Sequence, residues 1–150
     1  MTGRLKKIAV AFVVVFAAAQ LVRPGRANPS TDVSRSIQTQ MGTASPLVAV
    51  VDRACRDCHS NATVWPWYTQ IAPLSWLMAS GVKEGRRVLN FSEWAAYPPA
   101  RQRELLVASC QAVTDGKMPG VYSLLRRETR LSTQDVQTIC EAARQAGADR

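Results

Sequence analysis

The residues with the clearest chemistry form one short run, Cys55-Arg56-Asp57-Cys58-His59. Two thiols separated by two residues and followed at once by an imidazole have the spacing of c-type haem attachment. In that arrangement the thiols form thioethers with the two vinyl groups of one haem, and the imidazole is an axial ligand of the iron. The motif therefore predicts one covalently attached haem c per chain, held by Cys55, Cys58 and His59.

Two other uses of the paired cysteines fit the sequence less well. A redox Cys-x-x-Cys pair normally occupies a βαβ setting, and no stretch alternates apolar and polar residues as a strand would. A zinc site needs four ligands, and since His59 is the only histidine it would have to recruit Cys110 or Cys140 at unusual spacing. The single histidine also excludes a bis-histidine haem.

A methionine is the expected sixth iron ligand. Met118 lies in the loop sequence Gly-Lys-Met-Pro-Gly, well downstream of His59, as in small class I cytochromes c. Thioether ligation raises the reduction potential and closes the iron to other ligands. The alternative is that Met118 only fills the core, which methionine does well. Met78, on an apolar helical face, is predicted to be a core residue.

Several further side chains are candidates for contact with the haem. Trp65, Trp67 and Tyr68 are predicted to wall it, with ordinary core packing as the alternative. Arg86 is predicted to pair with a propionate, because a guanidinium suits a carboxylate, and a solvated helix face is the alternative.

The proximal histidine needs a partner for its second ring nitrogen, because such partners orient the ligand and tune it. Two prolines, Pro66 and Pro73, follow His59 in a loop rich in aromatic residues. The carbonyl of one of them is the predicted acceptor for the ring N–H.

Cys110 and Cys140 form an even pair once the haem takes the other two cysteines. They lie on separate predicted helices, and in an oxidising compartment the expected outcome is a disulfide between those helices. Two buried free thiols are the alternative.

The N-terminus has the pattern of an export signal. Arg4, Lys6 and Lys7 precede an apolar run over residues 8–21, which is short for a membrane-spanning helix. Residues 1–22 are therefore predicted to be a signal peptide or a membrane anchor, with a buried core helix as the alternative. This predicts a protein on the periplasmic side of the inner membrane, anchored there or released after cleavage.

The distribution of charge argues against a nucleic-acid-binding function. The net charge is +8, but five of the basic residues fall in the first 26 residues, which hold no acid. No basic stripe interleaved with aromatic residues follows, so nucleic acid is not an expected partner.

The predicted fold class is all-α, a small c-type cytochrome-like domain of four to five short helices. Residues 23–45, rich in Pro, Gly, Ser and Thr, are predicted to be a linker, and residues 46–150 the haem-binding domain. Helices are predicted from Pro46 to the motif and over 74–88, 101–113 and 132–146. The last begins at a capping box, Ser132-Thr133-Gln134-Asp135.

From Cys55 onward the chain resembles a bacterial family named for its haem-binding domain, whose members are exported or membrane-anchored. The resemblance covers roughly 100 residues and departs at two positions. Members often carry a histidine where this chain has Arg126, and an apolar or aromatic residue where it has Cys140. The matching blocks are Cys-Arg-Asp-Cys-His-Ser-Asn-Ala-Thr-Val-Trp-Pro-Trp-Tyr (55–68), Ile-Ala-Pro-Leu-Ser-Trp-Leu (71–77), Glu-Gly-Arg (84–86), Leu-Asn-Phe-Ser-Glu-Trp (89–94), Met-Pro (118–119) and Arg-Leu-Ser (130–132).

The expected function is periplasmic electron transfer by a His/Met-ligated haem, in a carrier and not a catalyst. Its partners would be a redox protein in the periplasm or inner membrane and, through the N-terminal helix, the membrane itself. The alternative is a haem-based sensor or peroxide-reactive enzyme that keeps His59 and leaves Met118 off the iron. A third hypothesis is a haem-bearing assembly module that contacts a membrane partner.

Overall fold

A computed structural model describes residues 2–120 and 122–148, and over these ranges the chain is helical and contains no strand. This confirms the all-α prediction for the described part of the chain. The chain divides into two compact units. The first comprises residues up to 27 together with 64–81, and the second comprises residues 28–63 together with those from 82 onward.

The first unit contains helix α1 (Thr2–Ala19), a 3₁₀ turn (Trp67–Gln70) and the first half of helix α5 (Leu74–Val88). The predicted helix over 74–88 is therefore confirmed at both ends. The apolar side chains of α1 are exposed along its whole length. Among the described residues, none of the helices combines the length and the apolar character that a bilayer crossing requires.

The second unit holds the remaining elements, which surround one apolar core. Its helices are α2 (Ile37–Met41), α3 (Pro46–Val50), a π-helical turn (Val51–Cys55), α4 (Arg56–His59), the second half of α5, α6 (Pro99–Thr114), α7 (Tyr122–Leu125) and α8 (Thr133–Ala148). Three 3₁₀ turns connect them, Val33–Arg35, Phe91–Ala96 and Arg127–Thr129.

Local sequence explains where the helices begin. Proline occupies the first helical position of both α3 and α6, where its missing N–H costs nothing. The predicted capping box opens α8: the Ser132 N–H donates to Asp135 Oδ2 at 2.7 Å, and the Asp135 N–H donates to Ser132 Oγ at 3.2 Å. Helix α6 begins two residues before the predicted Arg101 because Pro99 suits its first turn.

The core of the second unit is built mainly from α3, α6 and α8. Val48, Trp94 and Ile139 are among its almost fully buried side chains. A disulfide joins Cys110 of α6 to Cys140 of α8, with the two Cα atoms 4.8 Å apart. The two helices are thus held by a covalent bond as well as by apolar packing.

The structure departs from the predicted linker over residues 33–41. Ile37 is fully buried in the core cluster, and Ser36 caps the short helix α2 through its side chain. A single isoleucine in a polar stretch gives no periodic pattern, so only the tertiary structure reveals that this segment packs on the core.

Candidate functional site

The Cys-x-x-Cys-His motif ends a continuous helical stretch from Pro46 to His59. Within that stretch residues 51–55 form a π turn that ends at Cys55. Such wide turns are rare and recur at functional sites, because the extra residue re-aims the side chains that follow. The Cys55, Cys58 and His59 side chains all line one cleft in the second unit.

The cleft is apolar and open to solvent on one side. It has about 980 Å³ of atom-free space, a figure that includes the open solvent at its mouth. Helix α6 contributes more of its lining than any other element, and residues 51–59 and 88–91, Met118 and Tyr122 supply much of the rest. An apolar cleft with two thiols and one imidazole in its lining fits a haem.

The His59 ring is oriented by the backbone of a distant residue. His59 Nδ1 lies 3.1 Å from the carbonyl oxygen of Leu89. Since a carbonyl only accepts hydrogen bonds, Nδ1 carries the proton and Nε2 keeps its lone pair for a metal. The proline-carbonyl prediction is therefore wrong, because Leu89, not Pro66 or Pro73, supplies the acceptor.

Burial keeps this imidazole neutral. Desolvation lowers the pKa of His59 below its ordinary value, against the opposing effect of the Leu89 and Gly85 carbonyls. A neutral ring is the form that ligates iron.

The two motif thiols lack the electrostatics of a redox pair. Burial raises the pKa of Cys55 to about 12 and that of Cys58 to about 11. Thiol–disulfide chemistry needs the opposite, a pKa lowered towards neutrality. Cys110 and Cys140 are bonded to each other, so neither is available to complete a zinc site with the motif.

A glycine on α5 allows the motif to pack against that helix. A Cβ built on Gly85 would lie 2.4 Å from the backbone oxygen of Cys58, closer than any real contact. Only glycine permits this approach of helix and motif. The requirement could be suspected from the Glu-Gly-Arg block of the family resemblance, but periodicity alone gives no sign of it.

Arg86 braces the chain that follows the motif. Its guanidinium donates to the Ser60 carbonyl at 2.7 Å, to Thr63 Oγ1 at 2.8 Å and to Asn28 Oδ1 at 2.8 Å. Thr63 Oγ1 in turn donates to the Asp57 carbonyl at 2.6 Å. The pairing of Arg86 with a haem propionate stays a prediction.

A charged cluster links the motif to the segment after Met118. Asp57 forms an ion pair with Arg126, and the Tyr122 hydroxyl donates to Asp57 Oδ2 at 2.8 Å. Arg126 also donates to the Tyr122 oxygen at 3.1 Å. From the sequence, Arg126 stands out only as a departure from the family pattern. Asp57, the acidic residue inside the motif, is the one sequence feature that hints at its partner.

The remaining predicted site residues are divided between the cleft and the first unit. Met118 lies in the lining of the cleft with 45% of its surface exposed, whereas Met78 is buried. Trp65, Trp67 and Tyr68 belong to the first unit, while the cleft is lined by residues of the second. Their role as haem walls stays a prediction.

Comparison with known protein families identifies a family for this chain. A family model described as Haem-binding domain matches residues 14–145, most of the chain. No curated protein and no solved structure gives a significant match.

Proposed function

The chain belongs to the haem-binding domain family, and on that premise we propose that it carries one haem c per chain. Cys55 and Cys58 hold the haem through thioethers, and His59 ligates the iron through Nε2. The observation that carries this proposal is that both thiols and the imidazole line the same apolar cleft. The His59 ring supports it further, because its other nitrogen already has the Leu89 carbonyl as its partner.

We propose electron transfer as the activity. When bound, the haem supplies a one-electron ferric/ferrous couple, with the electron arriving from a reduced partner protein and leaving to an oxidised one. Met118 is the proposed sixth ligand, because it lies in the lining of the same cleft and its thioether would raise the reduction potential. The apolar lining, to which α6 contributes more residues than any other element, would shield the enclosed part of the haem from water.

The proposed place of work is the periplasmic face of the inner membrane. Basic residues precede the apolar part of α1, which is the charge pattern that keeps this end in the cytoplasm and exports the rest. The Cys110–Cys140 disulfide supports an oxidising compartment. In this proposal α1 holds the protein at the membrane, and the redox partner is a protein of the periplasm or inner membrane.

The first test is an optical spectrum of the oxidised and reduced protein, produced with and without the c-type cytochrome maturation machinery. We expect haem that survives denaturing electrophoresis only with the machinery, and none in the Cys55→Ser, Cys58→Ser double variant. If wild-type protein made with the machinery carries no covalent haem, the proposal is wrong.

Met118 separates electron transfer from the alternative activity. Methionine ligation gives ferric haem a weak long-wavelength band, which we expect in the wild type and not in Met118→Ala. Met78→Leu, which alters a buried methionine of the first unit, is the matched control and should keep the band.

A sensor or peroxide-reactive enzyme is the second candidate, favoured by the large exposed fraction of Met118. In that function Met118 stays off the iron and small molecules reach the sixth position. Rapid carbon monoxide binding by the wild type, without the methionine band, would favour this candidate over electron transfer.

A further inference from the structure

The first unit has an unusual distribution of charge. Residues 1–27 and 64–81 contain five basic residues and no aspartate or glutamate, and 64–81 contain no charged residue at all. The same short segment holds three of the four tryptophans of the chain. A surface of a soluble domain normally mixes charges of both signs, so this composition points to a different surrounding.

Large apolar side chains of this unit are exposed. Trp67 has 72% of its surface exposed, and Ile71, Trp76 and Leu77 are exposed as well. Trp67 lies in the 3₁₀ turn, Ile71 directly follows it, and Trp76 and Leu77 lie in the first turn of α5. Clustered exposure of this kind marks an interaction site.

Hydrogen bonds fasten this segment to the residues that follow α1. Trp76 Nε1 donates to the Val22 carbonyl at 2.8 Å, and the Ala72 N–H donates to Gln20 Oε1 at 2.9 Å. Arg26 Nη1 donates to the Thr69 carbonyl at 3.2 Å. The exposed residue Val22, just after α1, therefore lies beside Trp76.

We propose that Leu21, Val22, Trp67, Ile71, Trp76 and Leu77 form a membrane platform that rests on the headgroup region of an anionic phospholipid bilayer. Tryptophan favours that region because its ring is apolar and its N–H is polar. Arg23 and Arg26, the two basic residues of the unit that follow α1, complement anionic lipid, and no carboxylate of the unit opposes it. This inference rests on the attachment of α1 to the membrane proposed above and adds a second contact outside that helix.

The test uses fluorescence of the full-length, haem-loaded protein bound to vesicles of phosphatidylglycerol and phosphatidylcholine. Tryptophan emission is compared between vesicles with plain acyl chains and vesicles with brominated acyl chains, since bromine quenches only nearby tryptophans. Helix α1 contains no tryptophan, so any quenching reports on tryptophans outside that helix. Haem lowers the emission in both lipids alike, and the ratio between them is the readout.

We expect emission to fall on brominated vesicles and most of that fall to be lost in Trp67→Phe. Trp94→Phe is the matched control, because Trp94 is buried in the second unit and should contribute no quenching. Pure phosphatidylcholine vesicles should give less quenching than vesicles with phosphatidylglycerol.

Two results would overturn the platform. In the first, the protein sediments with the vesicles but emits equally from plain and brominated lipid. Its tryptophans are then away from the bilayer, either exposed or covered by a protein partner or a second copy. Protein that stays in solution with anionic vesicles lacks the contact altogether. Covalent haem is measured on the same samples by denaturing electrophoresis, so failure of haem attachment is recognised separately.

Discussion

The two walls of the cleft are held in different ways. The motif wall, residues 51–59 and 88–91, is fixed by backbone contacts: the Leu89 carbonyl orients His59, and α5 packs at Gly85 against the Cys58 backbone. The methionine wall, residues 105–119, is fixed by apolar packing of α6 and by the Cys110–Cys140 disulfide. Met118 lies on the loop after α6, and its backbone N–H donates to the Ala112 carbonyl at 3.2 Å.

This difference separates the tasks of the two proposed iron ligands. Backbone contacts set the position of His59 within a narrow range, as a permanent ligand requires. Met118 has fewer restraints and a large exposed fraction, so its approach to a metal depends on the loop that carries it. The cluster of Asp57, Tyr122 and Arg126 joins the motif wall to the segment that follows the methionine wall.

The largest effect is expected from removing the proximal ligand. His59→Ala deletes the only histidine of the chain, so no other imidazole replaces it. We expect loss of the six-coordinate spectrum, measured by optical absorption, with the thioethers still formed. Added imidazole should restore a low-spin spectrum if His59 acts only as a ligand. A wild-type spectrum in His59→Ala without added imidazole would show that His59 is not the permanent iron ligand.

The next effect concerns the methionine wall. Replacing both Cys110 and Cys140 by serine opens a loop with a sequence separation of 30, for which chain entropy gives about 3.6 kcal/mol of lost stability. Denaturant unfolding of the oxidised protein measures this loss. Haem attachment at Cys55 and Cys58 should persist. A double variant as stable as the wild type would mean that packing alone holds α6 to α8.

Gly85 tests the motif wall directly. Gly85→Ala places a methyl group against the Cys58 backbone, and overpacking of this kind costs about 1–3 kcal/mol. Gly81→Ala on the same helix is the matched control: its Cβ meets nothing within 4 Å, and alanine there should stabilise the helix by up to about 1 kcal/mol. Thermal unfolding and haem content of the two variants are compared. Equal behaviour would show that the close packing at Gly85 is unimportant.

The smallest effect is expected at the polar cluster of Asp57, Tyr122 and Arg126. Tyr122→Phe removes one hydrogen bond to Asp57 but leaves the Arg126 ion pair, at a cost of about 1 kcal/mol. Burial raises the pKa of Tyr122 above its ordinary value, so the hydroxyl stays a donor across the neutral range. We expect a weaker methionine band at elevated temperature than in the wild type. Ser123→Ala, which removes only a hydroxyl bonded to the Gly120 carbonyl, is the control.

Sequence sufficed where the determinant is local. The haem motif, the helix starts at Pro46 and Pro99 and the capping box at Ser132 are all encoded within a few residues. Sequence failed where the partner is distant. The Leu89 acceptor lies 30 residues from His59, and Arg126 lies 69 residues from Asp57. No periodicity or spacing rule connects such pairs, because tertiary packing alone brings them together.

The disulfide requires that one pair of cysteines be oxidised and the other left free. Four cysteines can form six different single disulfides, and only Cys110–Cys140 leaves both motif thiols free for the proposed thioethers. The proposed haem attachment therefore requires that one pair be oxidised while the other is kept reduced. Any oxidant that closes Cys55 and Cys58 first would divert the chain into a haem-free product, so the order of the two reactions decides the yield of mature protein.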